Sequence, residues 1–380
     1  MPVLAQAPDL QHLYAHPPIV IGDTRDPSRP GGILPQQFKA AYGFNLIPNQ
    51  GQGQTIALID AFDDPNIEAD LEVYKNTFHI GPCNFQKVKI GNPQPRLDWT
   101  LEEALDVEQA CALAPQANLV LVEGEINSYA DLLNANRVAY SAPYNATIVS
   151  NSWGGLEFQG EQGTDSYFCN VVNGNGQPVI FTAASGDTGH GLLYPSTSPC
   201  VVGVGGTTLA LATALPSPNP LQLNYGSETA WNSTGGGLSA FELQPVWQRG
   251  VCLWSGSARC APDVASDADR APGVPAYESY YWGGWLTVGG TSVATPDWAA
   301  FFAIVSSLRA NAGKGPLSQV LPDLYAIYAS DYADNFHDIT AGHNGNCGPQ
   351  CDAQNGYDLL TGVGSYQANR LAASLLAVPE

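Results

Sequence analysis

A serine follows two glycines and a threonine in Val288-Gly-Gly-Thr-Ser-Val-Ala-Thr-Pro-Asp-Trp-Ala-Ala300. Glycines permit a tight turn and close backbone approach. A helix beginning just after them offers free N–H groups and a positive dipole to a developing oxyanion. Ser292 is thus placed as a nucleophile, although Gly-Thr-Ser alone also suits a helix-capping turn. A serine nucleophile needs a base, most often histidine. The six histidines are His12, His16, His79, His190, His337 and His343, and none opens a helix from a His-Gly-Thr turn. The Gly-x-Ser-x-Gly elbow is also missing. His190 is the single histidine close in sequence to other candidate chemistry, which leaves a neutral Ser-His-Asp hydrolase as one reading.

The better base lies in Trp99-Thr-Leu-Glu-Glu-Ala-Leu-Asp-Val-Glu-Gln-Ala110. Glu102 and Asp106 are i, i+4 and share one helical face. Two such acids resist joint ionisation, so one keeps a proton to higher pH. The pair can serve as base to Ser292 in acid, where histidine is protonated. A solvated acidic face is the plain alternative, since Glu103 and Glu108 lie on the same helix. A third segment is Phe181-Thr-Ala-Ala-Ser-Gly-Asp-Thr-Gly189, an apolar strand ending at Asp187. A protonated Asp187 can donate to an oxyanion; an Asx turn explains it equally well.

The elements that must position these residues follow from the hydrophobic pattern. Short apolar runs at 55–60, 118–123, 147–153, 179–184 and 201–207 read as strands. Helical patterns lie at 65–78, 101–113 and 128–140, with a weaker one near 162–172. This alternation predicts a doubly wound, mostly parallel sheet with helices on both faces. Catalytic groups then gather beyond the C-terminal ends of the strands. Residues 211–281 read as loop-rich, and a long apolar helix is expected at 295–311, with Pro296 near its first turn. Residues 1–34 lack periodicity and read as an extended arm or linker remnant before a single domain at 35–380.

Composition narrows the class. The chain has 380 residues, 14 Lys+Arg against 35 Asp+Glu, and a net charge of −21. A chain this acidic repels nucleic acid, and no apolar stretch is long enough to span a bilayer. Only 13% of residues are charged, against about 25% in an average protein. So few cations limit self-repulsion once the carboxylates are protonated, which suits a chain working in acid. Eight cysteines without a zinc-type spacing point to disulfides and an extracellular setting. Cys252/Cys260 and Cys347/Cys351 are the candidate pairs; the other four are left open between disulfides and buried thiols. No basic-then-apolar leader follows Met1.

Together, Glu102/Asp106, Asn151-Ser-Trp-Gly-Gly155, Asp187 and Gly-Thr-Ser292-x-x-x-Pro296 resemble the sedolisins, serine-carboxyl peptidases of subtilisin-like fold. Further resemblance lies in Gly51–Asp60, Ala114–Ala117, Tyr194–Pro199, Glu228–Asn232 with Gly235–Gly237, and Pro262–Ala265. It implies Ser292 as nucleophile, Glu102 as base and acid, Asp106 as its orienting partner and Asp187 as the oxyanion-hole acid. The Ser292 N–H is implied as the second oxyanion donor. Ser152, Trp153 and Gly154 are implied as the strand that pairs with an extended substrate. Asp60 matches the catalytic Asp of subtilisins in position, but sedolisins do not use it so; a supporting role is expected.

The resemblance also implies a C-terminal calcium-binding loop in Phe336-His-Asp-Ile-Thr340 and Gln354-Asn-Gly-Tyr-Asp-Leu-Leu-Thr-Gly362. One structural calcium ion is expected, held by carboxylates of Asp338 and Asp358 and backbone oxygens of Ile339, Gln354 and Gly356. The expected protein is a secreted, monomeric, acid-acting endopeptidase of peptide and protein substrates, with no nucleic-acid or membrane partner. Sedolisins usually carry a long prodomain. With only about 34 residues before the matched region, a mature form or a member built without one is expected. A secreted, non-catalytic binding protein on the same fold is the alternative.

Overall fold

The computed structural model describes residues 8–22, 26–213, 222–254 and 256–379. Parts of the 1–34 arm therefore lie outside the described residues. At the centre is an eight-stranded sheet. Its order runs Tyr225–Ala230, Val202–Leu211, Ile180–Ala184, Ile148–Asn151, Thr55–Ala61, Asn118–Gly124, Asn84–Lys89. Val264–Asp267 also joins, parallel to Val202–Leu211, and only Tyr225–Ala230 runs antiparallel.

The parallel strands are continuous apolar runs because both faces are covered. Along Thr55–Ala61 the alternation is explicit. Ile56 and Leu58 join one core with Leu101, Trp298 and Phe301, while Ala57 and Ile59 join another with Leu132, Leu133 and Tyr129. Helix Tyr129–Tyr140 is capped by Ser128, whose hydroxyl accepts from the Asp131 N–H.

The sequence reading needs four corrections, and one point that it left open is resolved. The weak helix near 162–172 is instead two 3-10 turns, Glu161–Gly163 and Asp165–Tyr167. The long helix is Thr291–Asn311, so it starts four residues earlier and Pro296 lies inside it. At the sixth position proline still falls near the start, where little intrahelical bonding is lost. Strand Asn84–Lys89 was missed, because its polar face is exposed at the sheet edge. The loop-rich region contains strands Tyr225–Ala230, Gly237–Leu243, Ala258–Ala261, Val264–Asp267 and Val274–Glu278. Finally, no cysteine is free: Cys83–Cys111 and Cys169–Cys200 pair alongside Cys252–Cys260 and Cys347–Cys351.

A buried ion pair fastens the second half of the sheet. Arg259 is fully enclosed and donates to both Asp263 oxygens, at 3.0 and 2.6 Å, and to the carbonyls of Ser198, Val201 and Cys260. Asp263 also accepts from the Gly203 N–H and the Tyr325 hydroxyl. Such saturation is what lets a charge pair persist without water. Among the described residues, no helix is long and apolar enough to cross a membrane.

Candidate active site

Helix Leu97–Leu113 carries the acid pair, and almost every one of its residues is buried. The solvated-face alternative therefore fails: Glu102, Glu103, Asp106 and Glu108 are all 0% exposed. Three of the four hold something. Glu103 accepts from the Asp64 N–H at 2.7 Å, and Glu108 from the Tyr277 N–H at 2.9 Å. Asp106 accepts from the Ser152 hydroxyl at 2.7 Å. Both Glu102 oxygens have no hydrogen-bond partner. Cys83–Cys111 clips the C-terminal end of this helix to the chain just before strand Asn84–Lys89.

Ser292 sits in the first turn of helix Thr291–Asn311 and is 0% exposed. The residue before that helix, Gly290, has φ 119°, a value that favours glycine. The Ser292 hydroxyl adjoins Glu102, and this contact draws the Glu102 proton affinity down. Burial and the charges of Asp106 and Asp60 push it up far more strongly. The serine and glutamate fall short of ordinary hydrogen-bond geometry. Burial raises Asp106 to about 8, against the opposing hydrogen bond from Ser152. Asp60, at the end of strand Thr55–Ala61, is raised by burial and then by Asp106 and Glu123. One sealed group of carboxyls thus holds protons well above the usual carboxylate range.

Asp187 lies past the C-terminal end of strand Ile180–Ala184. Its Oδ1 accepts from the Thr291 N–H at 2.8 Å and the Thr291 hydroxyl at 2.9 Å. The same hydroxyl accepts from the Gly186 N–H at 3.1 Å. The residue as a whole is only partly buried, but its Oδ2 is enclosed and has no partner. Burial raises its pKa to about 7, against the Thr291 bonds. Gly235 presses on this turn: its N–H donates to the Gly186 carbonyl, and a Cβ there would lie 2.1 Å from the Ser185 oxygen. A Cβ on Gly290 would lie 2.6 Å from Asp187 Oδ2. The free carboxyl oxygen therefore borders the space above Gly290, next to the Ser292 N–H.

No histidine hydrogen-bonds to the Ser292 hydroxyl, which has no partner. His190 is exposed and lies beside the Cys347–Cys351 pair. The neutral Ser-His-Asp reading is thereby set aside. Ser152 has a role beyond lining the groove, since its hydroxyl binds Asp106. The Trp153 ring is buried and packs edge-on against Tyr129, which leaves its backbone as the part able to pair with a substrate. Gly154 exposes both its N–H and its carbonyl to the backbone of His16. Thr291, which holds Asp187, was missed, and Ser152 was expected only as part of the substrate strand and not as the hydroxyl on Asp106; small hydroxyl residues inside motifs give no separate signal.

The expected calcium residues converge on one turn. Asp338 accepts from the Gly356 N–H at 3.0 Å, and Asp358 from the Gln354 N–H at 3.1 Å. Ile339 is buried, Asp338 exposed, and the Gln354 side chain turns away to the Pro349 carbonyl. The donor set is all oxygen with two carboxylates, as a hard dication requires. Burial raises Asp358 to about 6, and among the described residues no cationic side chain pairs with it. These residues fit calcium.

Comparison with known proteins agrees with the fold. The model of the subtilase family matches residues 106–322. Kumamolisin of Bacillus sp. (strain MN-32) is 32% identical over 91% of the chain, and sedolisin of Pseudomonas sp. (strain 101) is 26% identical over 94%. The chain spans 64% and 65% of the length of these two relatives. Tripeptidyl-peptidase sed4 of Aspergillus fumigatus is 26% identical over 79% of the chain and 56% of its own length. Pseudomonas sedolisin, a serine-carboxyl proteinase solved with two molecules of pseudo-iodotyrostatin, superposes with a TM-score of 0.75. It is 24% identical and covers 91% of this chain and 98% of that one, which establishes the shared fold. The chain belongs to the subtilase family and, within it, to the sedolisins.

Proposed function

We propose that the protein is a secreted endopeptidase acting in acid, cleaving peptide bonds through an acyl-enzyme on Ser292. The observation that carries this reading is the enclosure of Ser292, Glu102 and Asp106 at zero exposure, with no histidine on the serine. A substrate strand pairs with the Ser152–Gly154 backbone and brings its carbonyl over Gly290. In molecules where Glu102 is ionised, Ser292 Oγ attacks the carbonyl carbon while Glu102 takes its proton. Asp106, held by Ser152, shares that proton and orients Glu102. The oxyanion receives the Ser292 N–H and the protonated Asp187 Oδ2. Glu102 then delivers the proton to the leaving amine, and water hydrolyses the ester. The test is cleavage of acid-denatured protein at about pH 4 against pH 7. Activity at pH 4 that Ser292→Ala abolishes is expected; activity surviving in that variant refutes the mechanism.

The endopeptidase reading is supported by a groove that continues past Gly154. Asn127, Ser128 and Tyr129 still hold extended backbone there, through Ala15, Tyr14 and Leu13. Four disulfides suit an oxidising compartment and support secretion.

Asp187→Asn is expected to retain activity in acid and lose less of it near pH 7. An amide donates without needing a proton, whereas Asp187 gives up its proton at about 7. The measurement is the pH profile of kcat/KM, and an unchanged profile removes Asp187 from the oxyanion hole.

Calcium would be held by the carboxylates of Asp338 and Asp358 and the carbonyls of Ile339, Gln354 and Gly356. Bound there, it supplies structural charge compensation. Exhaustive chelation is then expected to lower Tm by about 5 °C or more in a calorimetric scan. No shift in Tm removes the metal.

A further inference from the structure

One of the four disulfides differs from the rest in three ways. Cys347 is exposed, whereas Cys83, Cys111, Cys252 and Cys260 are buried and Cys169 and Cys200 half-buried. Cys347 and its partner Cys351 are 4 residues apart, against 28, 31 and 8 in the other pairs. Closing so short a loop removes the least chain entropy, so this bond is the least protected against opening. Third, an imidazole sits beside it. A ring nitrogen of His190, itself exposed, lies within 4.8 Å of both sulfurs. Gly345 lets the chain pass between them: a Cβ there would lie 2.9 Å from Cys351 Sγ and 3.2 Å from His190 Cβ. An imidazole so placed assists thiol–disulfide exchange, because a proton or hydrogen bond from it stabilises the departing thiolate.

The same bond closes a hairpin that backs the turn carrying Asp187. His343 pairs antiparallel with Asp352, and the Asn344 N–H donates to the Cys351 carbonyl at 3.0 Å. The buried Asn344 then reaches two segments beside Asp187. Its carbonyl accepts from the His190 N–H at 2.9 Å, and its side-chain amide donates to the Thr234 carbonyl at 2.9 Å. The approach is close enough that a Cβ on Gly189 would lie 2.6 Å from the Asn344 oxygen. The residue after Thr234 completes the link, since the Gly235 N–H donates to the Gly186 carbonyl at 2.6 Å. Gly191 and Gly236 exchange two further hydrogen bonds, at 3.0 and 2.8 Å. Asp187 is therefore fixed twice: at its carboxyl by Thr291, and at its backbone by segments that the disulfide hairpin clamps together.

We propose that Cys347–Cys351 is a thiol-exchange site, opened by small thiols ahead of the other three disulfides, and that its opening turns the peptidase down by freeing the turn that carries Asp187. The second half rests on the peptidase reading above; the first does not. With a small dithiol as reductant, one thiolate sulfur bonds to Cys347 Sγ. The Cys347–Cys351 bond breaks, and its electron pair leaves on Cys351 Sγ, which takes a proton that the His190 imidazole relays from water. The second thiolate of the dithiol then attacks its own partner sulfur in the mixed disulfide. Cys347 leaves as a thiolate and is protonated by water. The dithiol ends as a cyclic disulfide, and the protein gains two electrons, two protons and two free thiols. The 343–352 hairpin loses its covalent closure, and Asn344 loses the support that holds it against His190 and Thr234.

The test uses the full chain with dithiothreitol near pH 7, in buffer containing calcium. Samples are trapped with time by N-ethylmaleimide, and the labelled cysteines are mapped by peptide mass. Cys347 and Cys351 are expected to be labelled at least about 10-fold faster than any other cysteine. Prior or equal labelling of Cys169 and Cys200, or of any other pair, overturns the site. His190→Ala is expected to slow the opening by about fivefold or more. An unchanged rate overturns the part given to the imidazole. Peptidase activity on an added unstructured peptide is then read at about pH 4, where thiols are protonated and exchange stops. The selectively opened chain is expected to lose at least about 10-fold in kcat, and to recover it once the thiol is removed and the bond re-forms. Full activity of the opened chain overturns control of the Asp187 turn. The double variant Cys347→Ser, Cys351→Ser should match the opened chain and ignore dithiothreitol; full activity in it overturns that control as well. If the double variant fails to fold, the wild-type labelling and activity still decide. Absence of peptide cleavage before any thiol is added overturns the function above, and the order of labelling then decides the site alone.

Discussion

Glu102→Gln is expected to lower kcat by about 10^3-fold to 10^4-fold while leaving KM and Tm nearly unchanged. An amide cannot take the Ser292 proton, so general base catalysis is lost outright. The fold should not notice, because glutamine has the same shape and neither Glu102 oxygen holds a protein group. Its neighbour provides the contrast. Glu103 accepts from the Asp64 N–H, and the amide oxygen of Glu103→Gln can still accept it. That variant is expected to keep kcat within about twofold, since Glu103 lies outside the proton path. Steady-state kinetics on an unstructured peptide at acid pH, with calorimetry on each variant, make the comparison. More than a tenth of wild-type kcat in Glu102→Gln would end the claim that Glu102 is the base.

The second large effect is on stability. Burial raises Asp64 and Glu123 to about 7, Asp106 and Glu242 to about 8, and Glu161 to about 9. In the unfolded chain each titrates near 4. Between those values the folded state binds more protons than the unfolded one, so stability falls as pH rises. The stabilisation is whole below about 4 and is lost through the window from about 4 to about 9. Each unit of upward shift costs at most about 1.4 kcal/mol once the group ionises. Asp63 runs the other way: burial is outweighed there by Lys87 and Lys89, so its contribution is lost in acid. The raised groups outnumber it. Calorimetry should show Tm falling by roughly 10 °C or more between about pH 5 and pH 8. A flat or rising Tm would mean that the acids ionise in place without penalty.

Much of this could be read from the residues, and the omissions have physical causes. The parallel strands announce themselves because burial on both faces demands unbroken runs such as Ile56–Ile59 and Leu119–Val122. Glu102, Asp106, Asp187 and Ser292 stand out by type and spacing, and the fold brings them together. The 258–278 strands are short and broken by Gly, Pro and Asp, so their pairing comes from backbone partners that no local pattern reveals. Glu161 to Tyr167 has a helical composition, but glycine at 160 and 163 favours single turns. Cys252–Cys260 and Cys347–Cys351 close loops of 8 and 4 residues and were visible as neighbours. Cys83–Cys111 and Cys169–Cys200, separated by 28 and 31, depend on how helices return to the sheet. The arm was opaque for a related reason. Its grip on Gly154, Ser292 and Gly289 is made by main-chain atoms, which leave no periodicity in side chains.

The scarcity of cations has a further consequence. Of the 14 Lys and Arg, Arg259 and Arg309 are sealed inside, and Lys39 is mostly enclosed with its amine on the Ala112 carbonyl. Enzymes that cut after basic residues therefore find few accessible points on this chain. Digestion by trypsin should yield a small number of long fragments, slowly, and mainly after the arm and exposed loops have been nicked.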